Sequence, residues 1–115
     1  MPALRAFLAL TWIVLVAYTA LVIRDHGANL LPVFFGDMRA LTWPGQFNLD
    51  FMCFLMGSAL WVAWRHRFTA TGLLLAPLAL FGGWGFLAPY LVLQSLRCDG
   101  DVAAVLLGEE RAAAR

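Results

Sequence analysis

The chain has 115 residues, of which 63% are hydrophobic and 13% charged, with a formal net charge of +1. Soluble proteins use roughly 45–50% apolar residues, so the composition sets residues 1–115 in the membrane class as a single domain. It excludes a nucleic-acid binder, which needs a basic patch or stripe, and the two cysteines, Cys53 and Cys98, are too few for a disulfide framework or a metal site.

The first uncharged run, Ala6 to Ile23, holds 18 residues. At 1.5 Å per residue it makes about 27 Å of helix and predicts a span over about residues 4–23. A signal peptide has an h-region of about 7–15 residues and a small-x-small cleavage site, neither of which fits the run before Arg24. Arg24 to Gln46 mixes charges with the apolar patch LLPVFF and ends in a Trp-Pro-Gly turn signal. It reads as a long interfacial loop, with a short surface helix around Leu31 to Leu41 and Trp43 at headgroup level.

A second span over about residues 47–64 carries Asp50 one turn from its start, because the uncharged part, Phe51 to Trp64, is 14 residues long and too short alone. The Arg65-His66-Arg67 link forces a tight helical hairpin. Beside it Trp61, Trp64, Arg65 and Arg67 read as interfacial anchors. The third run, Phe68 to Leu96, has 29 uncharged residues. That is about 43 Å if wholly helical, more than one bilayer core and less than two. One tilted or kinked helix over about residues 71–96 is the simplest reading, bent by Pro77, Pro89 and the GGWG of Gly82 to Gly85. The tail, 97–115, leaves the membrane and carries a short amphipathic helix from Val102 to Arg111. The predicted fold is thus an all-α membrane protein of three transmembrane helices.

Three spans set Arg5, Arg65 and Arg67 on one side, and Arg24, Arg39, Arg97, Arg111 and Arg115 with all seven acids on the other. The acid-free side reads as cytoplasmic, with the N-terminus inside a bacterial inner membrane. In this antiparallel arrangement Asp50 lies at the same end as the close of spans one and three. Tyr90, Gln94 and Arg97 share a helix face at i, i+4, i+7. Asp50 is therefore expected to pair with Arg97, or second with Arg24, in a structural ion pair; as an ionisable residue in a span it is also a candidate proton, cation or ligand site.

Ala59 with Ala63, and Ala79 with Gly83, have the small-x-x-x-small spacing that lets helices approach. Trp84, mid-span among Gly82, Gly83 and Gly85, reads as a core-packing residue or as a contact for a partner or a flat hydrophobic ligand such as a quinone, pigment or lipid held by that partner. His26 and His66 read as surface residues outside the spans, which argues against a ligated haem. The chain holds no nucleophile, phosphate-loop or zinc-protease motif. It is expected to be no enzyme and to have no cofactor or metal of its own.

Asp50, Ser58-Ala59-Leu60, Trp64-Arg65, Gly85, Leu87-Ala88-Pro89-Tyr90-Leu91 and Arg97 together resemble the pattern of an uncharacterised family of small bacterial integral membrane proteins, a domain of unknown function. The resemblance implies three to four membrane helices and supplies no activity. The expected role is a structural or accessory subunit packing against a larger membrane protein complex, or self-associating, in the lipid bilayer. The alternative is a small oligomeric transporter or hydrophobic-ligand carrier that uses Asp50.

Overall fold

The computed structural model describes residues 1–114, which form seven helices and no strand. Helix α1, Pro2–His26, opens with proline in its first turn, where a missing N–H leaves no bond unmade. Gly27 at φ 81° ends it, its N–H bonded to Ile23 O. Helix α3, Trp43–Arg65, starts four residues before the expected span. Pro44 sits in its first turn, so the Trp-Pro-Gly that reads as a turn is the start of the helix itself. Both helices are long and apolar enough to cross a membrane, yet only 6% and 11% of their most apolar windows are buried. Most of each window therefore faces outward, although the end of α3 enters the core at Val62 and Ala63.

Helix α2, Leu31–Ala40, falls where a surface helix was expected and packs on the start of α3. Gly45 makes that approach possible, because the backbone of Asp37 occupies the place where a Cβ would stand. Asn48 Nδ2 ties the pair by donating to Phe34 O at 3.1 Å. After α3, Arg67 and Phe68 both take left-handed φ, 58° and 55°, and close a tight turn into α4, Ala70–Gly82. The two helices then pack antiparallel through small residues. A Cβ on Gly72 would meet His66 Cβ at 2.8 Å and Ala63 O at 3.0 Å. Ala63 and Ala79 are buried, and Ala59 packs beside them.

The expected single helix over 71–96 does not form. Helix α4 stops at Gly82, and α5 runs from Trp84 to Arg97 in the opposite direction. Gly72, in the first turn of α4, lies against His66, and Tyr90, midway along α5, bonds the same His66 at 2.7 Å. In one straight helix those residues would stand about 27 Å apart. The reversal falls on Gly83, whose φ 54°, ψ −136° is closed to residues with a Cβ. The prolines, expected to bend one helix, lie inside the two short ones.

Non-helical backbone at the hairpin tip has its polar groups matched by α1. Pro89 has no N–H, so Gly85 O lacks the donor four residues on. Trp12 Nε1 supplies one at 3.0 Å. In return Trp84 Nε1 donates to Thr11 Oγ1 at 2.9 Å, and Gly83 abuts Phe51 and Leu55 of α3. Val62, Ala79 and Tyr90 form the centre of the core, with Leu75 and Phe86 packed on them.

Helix α5 returns antiparallel to α1, bonded by Arg5 to Ser95 Oγ at 2.9 Å and Ser95 O at 3.0 Å. The N-terminus, the 65–69 turn and the tail therefore gather at one end of the molecule, which corrects the expectation that the tail lies opposite the N-terminus. The tail also differs from the single helix expected over Val102 to Arg111. Gly108 at φ 86° breaks it into α6, Val102–Leu107, and α7, Glu109–Ala114, and folds it onto the end of α3. At the other end α1 and α3 run on past the hairpin tip as an open fork. Every residue from Ile13 to Leu30 is exposed.

Candidate functional site: an arginine-lined cleft

Ser58, Val62 and Arg65 follow i, i+4, i+7 on α3 and so share its inward face. Val62 is fully buried and Arg65 is only 6% exposed. The guanidinium Nε donates to Val105 O at 2.6 Å and Nη2 to Ala104 O at 3.1 Å. Both carbonyls belong to the last turn of α6; Ala104 O also accepts from the Gly108 N–H at 3.0 Å. Arg65 thus holds the tail down. Its Nη1 donates to Tyr90 Oη at 3.3 Å, and its carbon centre lies 5.8 Å from the Tyr90 ring centroid.

Tyr90 Oη accepts from Arg65 and pairs with His66 Nε2, 2.7 Å away. Burial first, then the charges of Arg65 and Arg97, hold the His66 pKa below its usual value.

This chain of bonds forms one wall of a cleft of about 500 Å³ between the α3–α4 turn, the end of α5 and the start of α7. Gln94 and Arg97 stand on the α5 side; Arg67, Glu110 and Arg111 stand opposite. Arg67 pairs with Glu110. Arg111 lies over the Trp64 ring at 3.9 Å and donates to Trp64 O, while Trp61 Nε1 donates to Leu106 O at 3.1 Å. The tryptophans and arginines read as membrane anchors are therefore also the clamp on the tail. Arg65 in particular is buried rather than interfacial.

Tyr90 and Gln94 do share a face, both buried, with exposed Arg97 at the cleft rim. The pairing expected for Asp50 is absent. Asp50 is exposed, about 22 Å of helix from Arg65. Among the described residues the ion pairs are Arg24–Asp25, at 3.0 Å, and Arg67–Glu110. The reversal at Gly83 explains this, because it carries the end of α5, and Arg97 with it, away from the level of Asp50. Trp84 packs edge-on to Phe7, and Trp43 lies exposed at the far end beside Phe47. Cys53 and Cys98 are both free thiols. Among the described residues no three His, Cys, Asp or Glu side chains group to hold a metal.

The sequence reading missed His66, taken for a surface residue, and the inward turn of Arg65. The i, i+4, i+7 series from Ser58 was the available signal for Arg65. For His66 there was none, since its partner Tyr90 is 24 positions away. No protein family matches the chain, and no curated protein or solved structure is significantly similar to it.

Proposed function

We infer that the protein is a small integral membrane protein that acts as a non-catalytic accessory subunit, its fork clasping a transmembrane helix of a larger membrane assembly. The observation that carries this reading is the fork. Ile13, Val14, Leu21, Val22 and Ile23 on α1, and Phe47, Leu49, Phe51 and Phe54 on α3, are all exposed on limbs that extend past the hairpin tip. Water would penalise such a surface at roughly 25 cal/mol per Å². Lipid does not, and a packed helix adds contacts that lipid leaves loose.

In this reading α1 and α3 cross the bilayer and α4–α5 enters it as a re-entrant hairpin. Irregular backbone at that depth is tolerated where protein covers it, and the bond from Trp12 to Gly85 O is such cover. With the tail at the N-terminal end, Arg5, Arg65, Arg67, Arg97 and Arg111 oppose Arg24 and Arg39; Arg115 lies outside the described residues. That imbalance supports a cytoplasmic polar end, in a bacterial inner membrane.

Purification in mild detergent followed by mass spectrometry tests the reading. A larger membrane protein should copurify in fixed stoichiometry, and consistent isolation as a monomer overturns it. Asp50 favours a second reading, a small oligomeric carrier, because it is an exposed carboxylate within a span and has no ionic partner among the described residues. Asp50→Asn separates the two. Lost uptake at normal membrane abundance supports the carrier, whereas lost copurification supports the accessory subunit.

A further inference from the structure

The cleft at the polar end lies away from the fork, and its unmatched groups are nearly all donors. Gln94 is 5% exposed, lines the cleft, and its side-chain amide has no hydrogen-bond partner among the described residues. That amide opens onto the cleft rather than being sealed from it, since the one side-chain polar atom both sealed and unpartnered among the described residues is Ser58 Oγ. Beside it the Arg97 guanidinium has neither an ion pair nor a hydrogen bond among the described residues. His66, bonded to Tyr90 through Nε2, lines the same cleft.

Arg65 adds charge without a counter-charge. It is buried, yet all its acceptors are neutral: two carbonyls, a phenol and, at 3.9 Å, the Cys98 sulfur. A buried cation without a carboxylate within 4 Å is an expensive arrangement unless an anion completes it. Glu110 is already engaged by Arg67, and Glu109 Oε1 lies 4.0 Å from the Cys98 sulfur. The cleft therefore holds four positive side chains, Arg65, Arg67, Arg97 and Arg111, against two negative ones.

We propose that this cleft binds a phosphate oxyanion, held by the Arg97 guanidinium and the Gln94 amide beside His66, with Arg65 supplying charge from behind. A tetrahedral oxyanion offers several acceptors in a small volume, which suits a cleft lined by polar side chains of a turn and a helix end, and arginine forks suit it. The anion is the phosphate of an anionic lipid headgroup or a free phosphate. The position at one end of apolar helices suits the first, and the chemistry of recognition is the same for both.

The test uses the full chain, with two arms. In detergent, inorganic phosphate should raise the thermal midpoint above that in chloride of equal ionic strength. In nanodiscs, native mass spectrometry should find phosphatidylglycerol retained over phosphatidylcholine. A response in the first arm alone assigns free phosphate, and in the second alone a lipid headgroup; either supports the site. Arg97→Gln, at an exposed position, should weaken binding at least tenfold without altering the midpoint of the unliganded chain, and Gln94→Leu should weaken it by a smaller factor. Indifference to both anions, or unchanged binding in Arg97→Gln, overturns the proposal.

Discussion

The two ends of this molecule are built on different terms. At the polar end, segments far apart in the chain are joined by specific bonds: Arg65 to the α6 carbonyls, Tyr90 to His66, Arg5 to Ser95. At the fork, α1 and the first half of α3 expose long apolar faces, and Asp50 and Asn48 are among the few polar side chains there. A change at the polar end alters bonds inside the chain, whereas a change on the exposed apolar faces of the fork alters chiefly what the chain meets outside. Substitutions should therefore separate the two ends sharply by their effect on the isolated protein.

The largest effect is expected from Arg65→Met. It removes charge-assisted bonds to the carbonyls of Ala104 and Val105, of which Ala104 O keeps the Gly108 N–H, and should cost about 3 kcal/mol. The loss would be read as a lowered thermal midpoint and as new protease cleavage after Cys98; an unaltered digest would show that the tail docks by other means. Gly83→Ala comes next. It forces a Cβ into φ 54° and to within 3.3 Å of Phe51 and Leu55, at a cost of about 2 kcal/mol. An unchanged midpoint would mean that the α4–α5 reversal does not depend on this residue.

Trp12→Phe should remove about 1 kcal/mol, because Gly85 O then has no donor. In a Pro89→Ala background residue 89 regains an N–H for that carbonyl, so Trp12→Phe should there be nearly silent. The double-mutant cycle measures the coupling directly, and additive effects would sink the explanation.

A smaller effect concerns pH. The pKa of His66 lies below 6.5 in the folded chain, so at pH values between the two the unfolded chain binds the extra proton. Stability is complete above pH 6.5 and declines as pH falls below it. His66→Gln should flatten that decline; a wild-type slope in the variant would assign it elsewhere. At the fork Asp50→Asn should move the midpoint of the isolated chain by no more than about 0.5 kcal/mol. A large loss there would contradict the contrast between the two ends.

Some of this architecture is visible in local patterning. Ala6 to Ile23 is long and uncharged enough to define α1, and LLPVFF followed by charges marks α2. Ala59, Ala63 and Ala79 were legible as small residues of a helix interface because four-residue spacing is a property of one helix face; Gly83 instead ends α4, and Gly72, which meets Ala63, was not singled out. Of the candidate site, the common face of Tyr90 and Gln94 was legible on the same ground. The Asp50 pairing failed because it depended on the direction of α5, which rests on a single glycine dihedral. A run of 29 apolar residues is compatible with one bent helix or two opposed ones.

Length, apolarity and helical period by themselves determined that the protein is helical and where the apolar stretches of α1 and α3 lie. Each of these follows from interactions within a few residues of chain. Only the tertiary structure decided that α4 and α5 reverse, that the tail returns to the N-terminal end, and that Arg65 turns inward to face His66, Tyr90 and Gln94. The physical reason is that those outcomes depend on matching buried polar groups across long separations. Gly85 O finds its donor 73 positions away in Trp12, a partnership that no local pattern encodes.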